Sequence, residues 1–284
     1  MPESPLVLAV MEPGARVAMT NLSIVHDLLG LVSGVLVGFS LGLVGGGGSI
    51  LAVPLMVYLV GVPDAHVAIG TSAIAVAANA AFNLATHARS GTVKWHCAGV
   101  FAGMGVAGAA LGSTIGKNFD GQGLLALFAC LMIVVAGLML KGRRTGGVHD
   151  GSLNRGNVPK LVGYGLGAGT VSGFFGIGGG FLVVPGLVFA TGMPLLNAIG
   201  SSLVAVTAFG LTTAANYALS GFVDWMLASL FISGGVVGGL LGVRSAQALA
   251  RRRGVLDCVF AGVILAVAAY MLVHGSGGAP RFPA

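Results

Sequence analysis

Two stretches about 130 residues apart repeat one pattern, and both lie inside long apolar sequence. The first is Gly42-Leu-Val-Gly-Gly-Gly-Gly-Ser-Ile-Leu-Ala-Val-Pro54, the second Gly173-Phe-Phe-Gly-Ile-Gly-Gly-Gly-Phe-Leu-Val-Val-Pro185. The match continues through Gly61/Gly192, Pro63/Pro194, Gly70/Gly200, Ser72/Ser202, Ser90-Gly91/Ser220-Gly221 and Trp95/Trp225, with a single one-residue slip. It extends through Phe101/Phe231, Gly108/Gly238 and Gly112/Gly242. A duplicated unit whose halves each carry a short apolar segment broken by glycine and proline is the sequence mark of a membrane transporter built from repeats.

Charge and glycine content agree. Charged residues are 8% of the chain, against about 25% in an ordinary soluble domain. Hydrophobic residues are 56%, and 50 of 284 positions are glycine. Glycine suits membrane helices because it lets backbones approach closely where no water drives apolar contact. The net charge of +6 sits in short loops beside apolar spans, so membrane topology accounts for it and a nucleic-acid partner is not expected. Cys97, Cys130 and Cys258 fall in or at the start of apolar segments, without Cys-x-x-Cys or histidine at metal spacing. They read as small buried hydrophobes, and neither metal nor cofactor is expected. Residues 1–23 carry Glu3 and Glu12 ahead of any long apolar run. They are unlike a signal peptide and are expected to form an extramembrane tail.

Apolar segments run over 24–44, 48–60, 66–88, 97–116, 123–140, 160–177, 180–191, 196–219, 226–243 and 255–273. All but the second and seventh approach the ~20 residues that cross a ~30 Å hydrocarbon core. Those two, at about 12–13 residues, make only ~20 Å of helix. They either cross as broken helices or dip in and return, and the basic residues arbitrate. If both cross, with the N-terminus outside, the cytoplasmic side holds Arg89, Lys94, Lys141, Arg143, Arg144, Arg155, Lys160, Arg244, Arg251, Arg252 and Arg253. Only Arg16, Lys117 and Arg281 remain outside, a split of eleven to three. If both re-enter, with the N-terminus inside, the split falls to nine against five. The positive-inside tendency favours the first arrangement. Five segments per half then make the halves inverted repeats about an axis in the membrane plane.

The expected fold is therefore an all-α polytopic membrane protein of two homologous halves. About eight full transmembrane helices are joined by two short broken ones. The tail 1–23 precedes a first repeat over 24–140, and a glycine-rich basic cytoplasmic linker over 141–159 leads to the second repeat, 160–273. A tail over 274–284 closes the chain, and both termini are expected to be periplasmic. Gly99/Gly103, Gly108/Gly112/Gly116 and Gly234/Gly238/Gly242 form four-residue ladders, each a flat helix face. Close packing inside the protomer is the expected use, with a homodimer interface as the alternative.

The glycine runs are the first candidates for chemistry. Gly46, Gly47, Gly48 and Ser49, and Gly178, Gly179 and Gly180, sit where a long span stops and a short helix begins. Uncovered N–H groups and the positive end of a helix dipole favour a bound anion there. The competing use is tight helix crossing. No Gly-Lys-Ser/Thr follows either run, so a nucleotide loop is excluded. In the third span Ser72, Asn79, Asn83 and His87 fall on one helical face. The repeat-mate span offers Ser201, Ser202, Thr207, Thr212, Thr213 and Asn216. Serine and threonine often bond their own helix, but an amide in hydrocarbon must find a partner or water. These residues are expected to line a path for a small anionic substrate. No Asp, Glu, Lys or Arg lies in the middle of a span. That argues against a carboxylate proton relay and leaves His87 as the one titrating group near the path. Neither a paired carboxylate nor a nucleophile with its base is present, so an intramembrane enzyme is not expected. A channel-like anion pathway and a non-transporting membrane scaffold remain as alternatives to a carrier.

The doubled Gly-x-Gly-Gly-Gly-x-x-x-Val-Pro pattern, read here as Gly45–Pro54 and Gly176–Pro185, resembles the TauE/SafE family of sulfite and organosulfonate exporters. Gly70–Ser72, Gly200–Ser202 and Ser-Gly-x-Val-x-Trp at 90–95 and 220–225 fit the same family, and the resemblance covers about 24–273. The first copy departs with Ser49 where the second has Gly180, so the two turns need not be equivalent. The resemblance implies export of small sulfur oxyanions or sulfonates, such as sulfite or sulfoacetate, across a bacterial inner membrane. A sulfonate's three oxygens suit a cup of backbone N–H and hydroxyl donors.

Overall fold

A computed structural model describes residues 13–141, 156–249, 262 and 264–273. The linker residues 142–155, Arg251 to Arg253, Cys258 and the tail 274–284 lie outside the described residues. Within them every regular element is helical. The first half holds α1 (Pro13–Val44), the short α2 (Gly45–Val60), α3 (Ala65–Arg89), α4 (Trp95–Gly116) and α5 (Gly121–Lys141). The second holds α6 (Val158–Phe175), the short α7 (Gly180–Thr191), α8 (Leu195–Ala218), α9 (Trp225–Leu249) and α10 (Ile264–Val273). Helix α1 begins at Pro13, inside the stretch expected as a tail, and its membrane-grade part is Val25–Leu43.

Among the described residues, five helices are long and apolar enough to cross a membrane: Val25–Leu43, α3, α4, Leu196–Ala218 and Trp225–Ser245. Gly121–Gly137 and Ile264–Val273, which belong to expected full spans, are shorter apolar helices. The outer surface suits lipid. Val25, Leu28, Val32 and Leu36 on α1, Leu111 and Ile115 on α4, and Val237 and Leu241 on α9 are all exposed. Apolar faces of that extent would associate in water and are at home in hydrocarbon.

The two short helices are built differently. In α2 the chain winds as a 3-10 helix over Gly45–Leu51, makes one α-turn at Ala52–Pro54 and widens to a π-helix over Leu55–Val60. Pro54 lies in that single α-turn, without an N–H to donate to the preceding turn, yet proline alone does not set the difference, because Pro185 holds the matching place in the second short helix. Helix α7 stays α-helical through Pro185. Both end on a left-handed glycine, Gly61 (φ 88°) and Gly192 (φ 68°), which closes the helix without a Cβ clash. At 12 residues, α7 is only about 18 Å long.

Packing exchanges helices between halves. The principal partner of α1 is α9, and that of α6 is α4. Gly34, Gly38 and Gly42 of α1 lie against Phe231, Gly235 and Gly239 of α9, with residue numbers rising together. Gly165, Gly169 and Gly173 of α6 lie against Phe101, Gly105 and Ala109 of α4 in the same sense. A Cβ at Gly112 would strike the Thr170 backbone, and one at Gly238 the Val35 backbone. The ladders at 108/112/116 and 234/238/242 thus serve packing inside the protomer, whereas Gly99 and Gly103 face open space. Helices α3 and α8 form the central pair and run oppositely. Gly70 meets Tyr217 and Phe222, Gly210 meets Ala73 and Ala77, and Gly200 meets Thr92.

Candidate functional site

The glycine runs meet in the centre. The backbones of Gly46 and Gly180 touch, and the Gly46 N–H points to Ser202 Oγ at 3.4 Å. Gly45 to Ser49 and Gly178 to Gly180 are all buried. Gly178 and Gly179 are left-handed (φ 66° and 64°), a conformation the first run reserves for Gly45 (φ 73°). The two turns are therefore not equivalent, as the Ser49/Gly180 difference foreshadows. Gly178 rests on the side chains of Val76 and Val206, at the waist of the α3–α8 pair, and Gly179 rests on Ser172.

The hydroxyls at this junction bond locally. Ser49 Oγ donates to the Gly46 carbonyl at 2.9 Å, Ser72 Oγ to Ile69 at 3.0 Å and Ser202 Oγ to Ile199 at 2.7 Å. Each spends its proton on its own chain, and Ser202 Oγ also accepts the Gly46 N–H. Asn79 and Asn83 differ. Both are 1% exposed, and none of their four side-chain polar atoms has a hydrogen-bond partner. An unsatisfied buried amide costs about 1–3 kcal/mol, so two on one face call for a ligand or water. Thr213 Oγ1, on α8, is likewise buried and unpartnered.

The remaining expected residues lie toward helix ends. His87 Nδ1 is 3.0 Å from Thr92 Oγ1, whose hydroxyl donates to the His87 carbonyl at 3.0 Å, while Nε2 is buried without a partner. With the Thr92 proton committed, Nδ1 is the ring nitrogen that carries hydrogen. Ser201 Oγ accepts the Lys94 N–H at 2.9 Å and so fastens the α3–α4 loop to α8. Asn216 is fully engaged. Its Nδ2 donates to Ser113 Oγ (2.6 Å) and Thr114 Oγ1 (3.0 Å), and its Oδ1 accepts from Lys117 Nζ (2.7 Å).

Two partners escaped the sequence reading. Thr71 Oγ1 accepts the Asp224 N–H at 2.9 Å, the counterpart of the Ser201–Lys94 bond. Tyr217 occupies the position repeat-related to His87, fully buried with an unpartnered hydroxyl. The offset of 130 that relates Ser90 to Ser220 could have found both. Among the described residues no charged side chain is buried, so the buried polar side chains are all neutral.

The sulfite exporter TauE/SafE family model matches residues 30–271 of this chain. The chain belongs to that family. A "Probable membrane transporter protein" of Xylella fastidiosa (strain 9a5c) is 53% identical over 243 residues, covering 84% of this chain and 92% of the relative. Its counterpart in strain Temecula1 is 52% identical over 242 residues, with the same coverage. "Probable membrane transporter protein YunE" of Bacillus subtilis (strain 168) is 28% identical over 236 residues, covering 76% of this chain and 85% of the relative. No solved structure matches. This member of the TauE/SafE family is thus a multi-pass protein of a membrane transporter family.

Proposed function

We propose that the protein exports small sulfur-containing anions, sulfite or an organosulfonate such as sulfoacetate, across the bacterial inner membrane. The carrying observation is the meeting of two glycine-rich turns at the centre of a chain whose family model is that of sulfite exporters. On this reading Gly46 to Ser49 and Gly178 to Gly180 supply backbone dipoles along the path, and Ser72, Ser202, Thr213, Asn79 and Asn83 are its polar side chains, Ser72 and Ser202 once their hydroxyls turn from their own helix carbonyls. A helix N-terminus attracts an anion. With no lysine or arginine buried among the described residues, the anion is held weakly enough to leave.

The same reading takes the halves as inverted repeats. Its support is the opposite running of α3 and α8, helices that correspond in the repeat. A two-fold axis relating antiparallel mates lies perpendicular to them, and so in the plane of the membrane they cross. The short helices then count as crossings, in keeping with the eleven-to-three distribution of basic residues.

A thermal-shift and binding screen of purified protein against sulfite, sulfate, thiosulfate, taurine and sulfoacetate tests the substrate class. Stabilisation by sulfite or a sulfonate is expected, and indifference to every sulfur anion refutes the reading. Gly47→Val adds a branched side chain to the first turn. It is expected to abolish anion binding, and folded, fully binding Gly47→Val protein removes the turn from the site.

A further inference from the structure

This inference rests on the transport reading and concerns where the anion is held. Asn79 and Asn83 stand one turn apart on α3, a separation of about 5–6 Å between Cβ atoms. Across from them on α9 are Gly235 and Gly239. The Asn79 amide fills the place a Cβ at Gly235 would take, and a Cβ at Gly239 would come within 2.8 Å of Asn83 Oδ1. Both amides therefore lie along the bare glycine face of α9, with all four polar atoms unpartnered.

The second half supplies an internal comparison. Shifted by the 130 residues that relate Gly70 to Gly200, Asn79 becomes Phe209, Asn83 becomes Thr213 and Gly235 becomes Gly105. The Phe209 ring lies directly on Gly105 and stacks on Phe101, with centroids 6.4 Å apart. Where the first half presents two unpartnered buried amides, the second has aromatic carbon at the Asn79 position and a single unpartnered hydroxyl, Thr213 Oγ1, at the Asn83 position.

We propose that the oxyanion is held off the axis between the halves, in a single chamber between α3 and α9. The Nδ2 groups of Asn79 and Asn83 are its side-chain donors, and Phe209 with Phe101 closes the corresponding position between α8 and α4. Each amide offers two N–H donors and one carbonyl acceptor. An oxyanion satisfies the donors, and one that carries a proton, as hydrogensulfite does, satisfies the acceptor too. A metal cation would use the carbonyls and leave every N–H bare. The chamber makes the carrier asymmetric in spite of its duplicated sequence, so residues of the first half set specificity.

The test measures sulfite affinity of the full chain in detergent by calorimetry, with sulfite flux in proteoliposomes alongside. Asn79→Leu and Asn83→Leu keep the size and remove the hydrogen bonds, and Asn79→Asp keeps the size and adds a like charge. Each is expected to weaken sulfite binding about tenfold or more, while Phe209→Leu stays within about twofold of the parent. Asn79→Asp keeps the test open if the leucine variants fail to fold. Parent-like affinity in folded Asn79→Asp or Asn79→Leu protein marks the amides as water-bonded structure and overturns the chamber, leaving the transport reading intact. Equal losses in Phe209→Leu and Asn79→Leu overturn the asymmetry. A parent protein that binds no sulfur oxyanion removes the transport reading and the chamber together.

Discussion

Lys117 illustrates how a single polar residue is accommodated in so apolar a chain. Its ammonium donates to the Asn216 carbonyl (3.1 Å), Asn216 Oδ1 (2.7 Å) and Ser220 Oγ (2.9 Å), using all three of its donors. Asn216 in turn reaches Ser113 and Thr114 on α4, so one amide ties the end of α4 to the end of α8. Removing it takes one acceptor from Lys117 and leaves two hydroxyls without their donor. Asn216→Ala is expected to lower stability by about 1–3 kcal/mol, read as an earlier midpoint in a detergent denaturation series. An unchanged midpoint would mean that water replaces the amide and the network is incidental.

At the scale of elements, backbone contact between glycine faces replaces the side-chain interdigitation of a soluble core. Helices α1 and α9 approach until Gly38 rests on Gly235 and Gly242 on Phe39. Such packing suits a bilayer, where dispersion contacts and not water exclusion hold helices together. It is also intolerant of added bulk, because the atoms in the way are backbone. Gly38→Val or Gly112→Leu is expected to cost more than the ~1–3 kcal/mol of ordinary overpacking, seen as loss of the monodisperse peak in size-exclusion chromatography. Gly99→Leu points into open space and should elute as the parent does. If Gly112→Leu protein remains monodisperse with an unaltered melting midpoint, the α4–α6 contact is looser than its geometry indicates.

For the whole molecule the decisive quantities are side and direction. On the proposed inverted arrangement, the loop at Ser90 would face the cytoplasm and the loop at Ser220 the periplasm. Single cysteines at those positions should therefore label from opposite sides of the membrane, and labelling from one side would sink the inverted arrangement. Coupling follows from charge. An inside-negative potential drives an anion outward by roughly 2.3 kcal/mol per charge per 100 mV, which suffices to export a metabolic product. Sulfite flux in liposomes is expected to track an imposed potential. In His87→Ala protein it should still do so, with an altered pH response, since histidine is the side chain whose ordinary pKa of about 6.5 lies in the physiological range. Flux that ignores potential and stops when a proton gradient is removed would establish obligatory proton coupling.

Composition and repetition, both linear properties, determined most of what is coarse about this protein. An apolar chain with 8% charged residues and a doubled glycine–proline segment has few stable outcomes besides a helical membrane protein, because every backbone polar group must be satisfied without water. The polar face of Ser72, Asn79, Asn83 and His87 was also legible, since helical periodicity alone aligns it. Which of these residues keep free hydrogen-bonding capacity was not. Ser201 and Asn216 bond to α3–α4 loop and α4 groups more than 100 positions earlier in the chain, and no local pattern announces such partners. The exchange of helices between halves was hidden for the same reason. A glycine ladder declares a flat face but not the helix that will cover it, and only the folded chain decided that α1 lies on α9 and α6 on α4.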